Sequence, residues 1–340
     1  MNIGDWLTTH RDQVNQKLAW LQDEPVDIVW ERWSALHRIL ICRQGRTIKM
    51  YFADPGLVND EPDMSGAMSA LKLSDPFDLS PTPYNQTMML SLLWQPNPQR
   101  IYFAGFAGGR IPLVFYHYFP EVVIDSTDID EVVGQLAEQF FGIQFDDRQR
   151  LYIQDGREFL EQRQETAPYD FIFIDVFRGT GFSPMHLATV EFYELCKRNM
   201  TADGVIAVNL VEDDSVFGRK VATFASCFKN VYVLCNRTVV LFGTDGPLLS
   251  REEILQRAKA LQEQHRFAFP FLTRAAALRE LRETERFCEL AGTCVVLRDD
   301  AHVAETLPLP PTDPVFYGIR VDDLCPCGSG KEFKHCHGRA

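Results

Sequence analysis

Arg100-Ile-Tyr-Phe-Ala-Gly-Phe-Ala-Gly-Gly-Arg-Ile-Pro112 is the stretch of sequence that decides the fold. Its first five residues form an apolar run of strand length, and the glycines with Pro112 predict a tight turn into a helix. Glycines at such a turn let the backbone approach a ligand, so we interpret Gly105, Ala107, Gly108 and Gly109 as binding positions for a nucleotide-like molecule. The alternative is a strand-to-helix turn that holds no ligand.

Apolar runs of strand length continue beyond this turn and alternate with helical patterns, which is typical of βαβ units. We predict strands at Arg100–Ala104, Val122–Asp128, Leu151–Gln154, Phe171–Asp175, Val205–Leu210 and Val231–Cys235, with Val239–Phe242 as an antiparallel edge partner. The expected fold class is therefore α/β, with a doubly wound Rossmann-like sheet.

The 340 residues, of which 46% are hydrophobic, are enough for one large domain or two modest ones. We expect an N-terminal helix and β-hairpin unit over 1–98, a Rossmann-like core over 99–245, a helical extension over 246–306, a Pro-rich linker over 307–320 and a zinc knuckle over 321–340. Within the outer segments the pattern predicts a loop over 54–83 and helices over 250–265 and 273–288.

The net charge of -13 argues against a protein that mainly binds nucleic acid or an anionic membrane, and it suits a cationic or neutral substrate. No apolar run approaches the roughly 18 residues of a membrane span, and the N-terminus lacks the apolar core of a signal peptide. Six scattered cysteines fit reduced thiols. We therefore expect a cytoplasmic protein.

Carboxylates follow the next two predicted strands at the same edge of the sheet. Asp128 lies about twenty residues beyond the glycines, where an acidic side chain accepts hydrogen bonds from ribose hydroxyls. Asp155 and Gly156 close the third strand, where they face an adenine ring. The alternative for this pair is a simple Asp-Gly turn. Together with the glycines, these residues predict an adenosyl site.

The fourth strand delivers Asp175 to the same edge, and we take it as the candidate general base. A carboxylate there accepts a proton from an amine and attracts a cationic substrate. The alternative is a side chain that only braces the following loop. Arg178 and the glycines after it are expected to cover the pocket, and His186 is a further candidate for its lining.

The C-terminal segment Cys325-Pro-Cys-Gly-Ser-Gly-Lys-Glu-Phe-Lys-His-Cys-His337 has the spacing C-x-C-x8-C-H. Three thiolates and an imidazole form a closed tetrahedral shell of the structural zinc type, so we predict Zn²⁺ ligands at Cys325, Cys327, Cys336 and His337. The alternative, four unpaired groups, is the weaker interpretation. Metal binding must drive folding here because the segment is too short for a core.

From about His37 to Cys235, the chain resembles the bacterial spermidine synthase-like proteins, a branch of the class I S-adenosylmethionine-dependent methyltransferase fold. The similar segments are Ser69–Pro76 with Tyr84, Gly105–Pro112, Thr127–Asp130, Gln154–Leu160, Tyr169–Asp175, Pro184–Tyr193, Asp203–Leu210 and Leu297–Asp300. The resemblance implies transfer of an aminopropyl group from decarboxylated S-adenosylmethionine to an amine, with Asp175 as the catalytic aspartate and Tyr84 at the substrate pocket. It also implies a homodimer.

Two positions depart from the family pattern. Arg178 replaces the second carboxylate that holds the diamine, and Met68 replaces a glutamine that contacts the nucleoside. A guanidinium suits a substrate that carries a carboxylate, as ordinary S-adenosylmethionine does. The alternatives are therefore a methyl- or aminocarboxypropyl-transferase, or a catalytically degenerate binding protein. The tail resembles the SEC-C motif, which implies docking of a protein partner; the basic residues around it are alternatively a solvated face.

Overall fold

The computed structural model describes residues 2–22, 28–34, 36, 38–53, 66–163, 167–177 and 183–300. The strands are β1 Ile28–Trp33, β2 Arg38–Gln44, β3 Thr47–Ala53, β4 Ser69–Lys72, β5 Arg100–Ala104, β6 Val123–Asp128, β7 Gln149–Ile153, β8 Tyr169–Ile174, β9 Met200–Leu210, β10 Asn230–Cys235, β11 Val239–Thr244 and β12 Arg279–Glu280. The helices are α1 Ile3–Leu18, α2 Pro83–Met88, α3 Arg110–Tyr118, α4 Glu131–Phe140, α5 Gly156–Gln162, α6 Val190–Arg198, α7 Phe217–Cys227, α8 Arg251–His265, α9 Phe271–Ala275 and α10 Glu285–Thr293. The predicted linker over 307–320 and zinc knuckle over 321–340 lie outside the described residues.

The main sheet has eight strands in the order β12-β10-β11-β9-β8-β5-β6-β7. Strands β5 to β9 are parallel to one another, and β11, β10 and β12 extend the sheet in antiparallel fashion. The chain proceeds to one side from β5 through β6 and β7 and then crosses to β8, so β5 and β8 flank a topological switch point. This arrangement confirms the predicted Rossmann-like α/β class. Val239–Phe242 was predicted as an antiparallel edge partner, and the strand is antiparallel, but β11 lies between β9 and β10 and not at the edge.

Strand β8 lies inside the main sheet and is parallel to both of its neighbours, β5 and β9. All six of its residues are buried, as expected for a strand covered on both faces. Phe173 stacks on Phe103 of β5 with ring centroids 4.6 Å apart. The one acidic residue, Asp170, accepts hydrogen bonds from the backbone amides of Gln99 and Arg100 at 2.6 and 3.1 Å. A buried polar group is tolerated there because it is hydrogen-bonded.

The first four strands form a separate antiparallel sheet in sequence order. The hairpin of β2 and β3 turns at Gly45, whose φ of 60° lies in the left-handed region that glycine adopts readily. The prediction of a loop over 54–83 was wrong for Ser69–Lys72, because these four residues pair with β3 as β4. That pairing brings β4 against the glycine turn that follows β5.

Helix α1 packs against α3. Trp6 donates its indole N–H to the carbonyl of His117 at 2.9 Å, and the Nδ1 atoms of His10 and His117 lie 3.0 Å apart. Burial lowers the pKa of His10 to about 4 and that of His117 to about 3, so both rings are neutral and one donates to the other. His117 therefore fixes α1 to the core.

The C-terminal region departs from the predicted helix over 273–288. Helix α9 ends at Ala275, and Arg251 donates to the carbonyl of Ala275 and to those of Ala276 and Leu278 beyond it. The next residues pair with β10 as β12 before α10 begins. The sequence favours helix, but edge pairing and the Arg251 cap override that propensity.

Among the residues that the structure describes, no helix is both long and apolar enough to cross a bilayer. The six cysteines in these ranges form no disulfide. The domain boundaries predicted at residues 98 and 245 stay a prediction. One hydrophobic cluster contains residues from both sides of each boundary, among them Val14, Ile41, Phe171 and Phe271.

Candidate functional site

A cavity of about 360 Å³ lies at the carboxyl ends of β5, β6 and β8, on the switch point of the sheet. Residues 66–69 and the start of α2 close it from the side of the N-terminal sheet. Seven of the predicted site residues line this cavity, and they are Tyr84, Gly105, Ala107, Asp128, Asp155, Gly156 and Asp175. The structure therefore brings together residues from five separate stretches of chain.

Gly105 follows β5 directly and lies against Asp175, the residue that follows β8. Its φ is 88°, and a Cβ added there would lie 2.3 Å from the carbonyl oxygen of Asp175. No side chain fits between the two strands at this point, so the glycine is required by the close backbone approach. The turn continues through Ala107, a non-glycine residue with a φ of 46°. This part of the turn leaves its backbone facing the cavity.

Gly108 and Gly109 are placed differently, since neither is among the described residues that line the cavity. The amide of Gly108 donates to Ser69 Oγ at 2.9 Å, which ties the turn to β4. An added Cβ at Gly109 would approach Phe106 and Ile143 to within 2.6 and 2.7 Å. These two glycines allow close packing behind the site.

Asp128 ends β6 beside the turn. Its Oδ2 accepts hydrogen bonds from the amides of Phe106 and Ala107 at 3.2 and 3.3 Å, and its Oδ1 accepts one from Asp130 at 3.0 Å. Burial raises the pKa of Asp128, and the three amides act in the opposite direction. Asp130 caps α4 through the amide of Val132, so Asp128 is the carboxylate of the pair that lines the cavity.

Asp155 joins a structural role with a position in the cavity wall. Its Oδ1 accepts from the amides of Arg157 and Glu158, which caps α5, and its Oδ2 lies 2.9 Å from His186 Nε2. Burial alone would raise the pKa of Asp155, but the His186 contact and the helix amides outweigh it and lower the pKa. His186 also lines the cavity. The carboxylate and imidazole therefore form one hydrogen-bonded pair.

Asp175 follows β8 directly and lies opposite Tyr84. Asn209 donates its side-chain amide to Asp175 Oδ1 at 3.0 Å, and Tyr84 hydrogen-bonds to the same carboxylate. Burial raises the pKa of Asp175 to about 6, although Asn209 and Tyr84 act to lower it. Burial and the Asp175 charge raise the pKa of Tyr84 well above its usual value. A carboxylate with a pKa near neutrality is suited to accepting a proton.

Asn209 is a further residue of the site. The sequence interpretation gave no role to Asn209, although a polar residue near the end of the apolar strand β9 was a usable signal. Arg178, which was expected beside Asp175, lies outside the described residues. Among the described lining residues, the charged side chains are the three aspartates and Arg110, whose guanidinium donates to the carbonyls of Ala70 and Pro76.

The strand order and the cavity beside a Gly-rich turn define a protein of the Rossmann-like methyltransferase fold. A crystal structure of human methyltransferase-like protein 13 in complex with SAH aligns with a TM-score of 0.50 and 26% identity, covering 54% of this chain and 92% of that one. A probable spermidine synthase from Corynebacterium glutamicum aligns with a TM-score of 0.63 over 83% of this chain and 99% of that one. At 18% identity, the latter likeness is one of fold.

Residues 85–233 match the Spermine/spermidine synthase domain, and residues 323–339 match the SEC-C motif. A polyamine aminopropyltransferase from Vibrio vulnificus is 31% identical over 183 residues, which cover 54% of this chain. The chain spans 60% of the length of that relative. The chain therefore resembles the spermidine synthase domain over residues 85–233 and matches the SEC-C motif over residues 323–339.

Proposed function

We propose that this chain transfers an aminopropyl group from decarboxylated S-adenosylmethionine to an amine acceptor, with Asp175 as the general base. The observation that carries the proposal is the Asp175 carboxylate, which lies at the cavity with a pKa raised to about 6 by burial. The match to the spermidine synthase domain and the likeness to a polyamine aminopropyltransferase support the same activity.

Three groups of residues are assigned to the donor. Asp128 is positioned to accept hydrogen bonds from the ribose, and Asp155 with Gly156 to contact the adenine end. Gly105 and Ala107 offer exposed backbone to the rest of the nucleoside. The carboxylates also suit a sulfonium cation, because the described lining is rich in acidic groups.

The transfer itself needs one proton acceptor and one aligned nucleophile. The acceptor arrives as an ammonium ion, and Asp175 takes its proton to free the nitrogen lone pair. That nitrogen then forms a bond to the propyl carbon next to sulfur. The carbon–sulfur bond breaks with its electron pair on sulfur, so neutral methylthioadenosine leaves. Tyr84 and Asn209 hold the carboxylate in place during this step.

A second candidate is transfer of a methyl or aminocarboxypropyl group from ordinary S-adenosylmethionine. It is favoured by Arg178, which replaces the second carboxylate of the aminopropyltransferases, and by the likeness to a methyltransferase bound to SAH. A third candidate, a degenerate binding protein, makes no product at all.

Product analysis separates these candidates. The purified full-length chain is incubated with each donor and a panel of amines, and the nucleoside product is identified by mass. Methylthioadenosine from the decarboxylated donor supports the proposal. S-adenosylhomocysteine points to methyl transfer, methylthioadenosine from the ordinary donor points to aminocarboxypropyl transfer, and the absence of product with every pair supports the binding protein.

We further propose that Cys325, Cys327, Cys336 and His337 hold a structural Zn²⁺ and that this SEC-C segment docks a protein partner. Three thiols and an imidazole are the donor set of closed zinc sites. The described residues contain no group of three or more such ligands. The ion would order the tail and leave no open position for chemistry. A cytoplasmic location and a homodimer also remain proposals.

A further inference from the structure

The last described residues of the chain are anchored beside the donor end of the cavity. Leu297 is fully buried, its amide donates to Thr223 Oγ1 at 2.7 Å, and its carbonyl accepts from Val190 at 3.0 Å. The amide of Asp299 donates to Glu191 Oε2 at 3.1 Å. These contacts fix residues 297–299 against the start of α6.

The side chain of Asp299 is then held by two partners. Arg157 donates to it through both terminal nitrogens, at 2.8 Å to Oδ1 and 2.5 Å to Oδ2, and Thr189 donates its hydroxyl at 2.7 Å. This bidentate geometry is the strongest form of an arginine–carboxylate pair. The Arg157 hydrogen bond is the main reason that the pKa of Asp299 is lowered.

Arg157 connects Asp299 to the wall of the cavity. The same nitrogen, Nη1, donates to the carbonyl of His186 at 3.2 Å, and the His186 ring contacts Asp155 Oδ2 at 2.9 Å. The amide of Arg157 is also one of the two that Asp155 accepts. Asp299 is therefore connected to two cavity-lining residues through one guanidinium, although it does not line the cavity itself.

We propose that Asp299 is a positioning residue for donor binding, and that it acts through Arg157 to keep the His186 ring on Asp155. The inference rests on the proposed function, since it concerns the adenine end of the same cavity. Without Asp299, Arg157 keeps its contact with Glu161 Oε1 at 3.0 Å and turns away from His186. Donor binding then weakens while the proton transfer at Asp175 is unaffected.

The test compares two carboxylate variants of the full-length chain. Asp299→Asn removes the charge that holds Arg157. The control, Glu31→Gln, removes a carboxylate that lies 2.7 Å from Arg38 Nε in the sheet of β1 to β4. The two carboxylate side chains are matched in exposure, at 40% and 39%. We expect Asp299→Asn to weaken binding of methylthioadenosine and of both donors by about three- to tenfold with kcat unchanged, as for a partly exposed charge-assisted pair. Glu31→Gln should change neither quantity.

Two additional measurements test whether Asp299 acts on nucleoside binding through His186. In the His186→Ala background, Asp299→Asn should have no further effect on nucleoside affinity, because residues that act through one another are not additive. The ring nitrogen NMR signals of His186 should shift in Asp299→Asn and not in Glu31→Gln, and this reading needs no nucleoside.

An unmoved His186 signal overturns the connection from Asp299 to His186. A moved signal with unchanged nucleoside affinity, or additive losses in the double variant, overturns the role in donor binding. If the unsubstituted chain binds none of the three nucleosides while the signal moves, the proposed function fails and the positioning of His186 stands.

Discussion

Asp175 receives its hydrogen bonds from neutral donors, so its chemistry is set mainly by burial. Replacement by Asn keeps the size and the contact with Asn209 but removes the base. We expect Asp175→Asn to lower turnover by roughly 10²- to 10⁴-fold, the usual contribution of a general base. Donor affinity, measured by calorimetry, should stay within about twofold. Substantial remaining turnover would contradict the assignment.

The raised pKa of Asp175 also fixes the direction of the pH dependence. The base must be ionised, so kcat should rise about tenfold per pH unit below its pKa of about 6 and level off above it. A pH–rate profile at saturating donor and acceptor gives this value directly. A profile that is flat between pH 5 and 7 would show that another group, or none, accepts the proton.

The same shift predicts an effect on stability. A carboxyl group whose pKa is higher in the folded state stabilises the fold when protonated, and that contribution is lost as pH rises from 3.8 to about 6. Asp175→Asn should therefore increase the free energy of unfolding at pH 8, by about 1–3 kcal/mol. At pH 3.5 the two chains should be nearly equal. Urea titrations at the two pH values make the comparison.

Sequence reasoning at the residue scale depended on the position of each acid after a strand. It placed Asp128, Asp155 and Asp175 at one edge, and all three line the cavity. It could not detect that Asp155 pairs with His186, because that contact joins residues 31 positions apart through the fold. Distances of this kind depend on how loops return to the sheet.

The turn after β5 is the element on which the site depends most. A methyl group at Gly105 would meet the carbonyl of Asp175 at 2.3 Å, whereas one at Gly45, with a similarly positive φ, would meet nothing within 4 Å. We expect Gly45→Ala to cost about 1 kcal/mol through its backbone conformation alone. Gly105→Ala should cost several kcal/mol, or prevent folding, because backbone must move. Thermal unfolding of both variants measures the difference, and equal costs would contradict this view of the turn.

The ends of the parallel strands were predicted within two residues, except that β9 begins at Met200 and not at the predicted Val205. The agreement is close because buried parallel strands are continuous apolar runs. The strands that were missed, β4 and β12, are only four and two residues long. Their sequences resemble a loop and a helix, and they become strands by pairing with β3 and β10. Such pairing is decided by tertiary contacts that no local pattern contains.

At the scale of the whole molecule, we predict that zinc binding by the C-terminal tail and catalysis at the cavity of the main sheet are independent of each other. Cys336→Ser should abolish the content of about one zinc ion per chain, because a three-ligand remnant binds the metal more weakly. Catalysis should be preserved, since the cavity is built from residues of the described core. Atomic absorption and the nucleoside assay on the same sample test both parts. Loss of turnover together with zinc would contradict a purely structural metal.

The docking of α1 has a consequence for how the chain folds during synthesis. Trp6 contacts a partner 111 positions later, and Lys17 donates to the carbonyl of Ile143, 126 positions later. At ribosomal rates of about 5–20 residues per second, α1 therefore waits roughly ten seconds for its partners to be made. The first helix synthesised therefore lacks these tertiary contacts until the chain has grown to residue 143, and its residues Val14 and Leu18, which the fold buries, have no partners there until then.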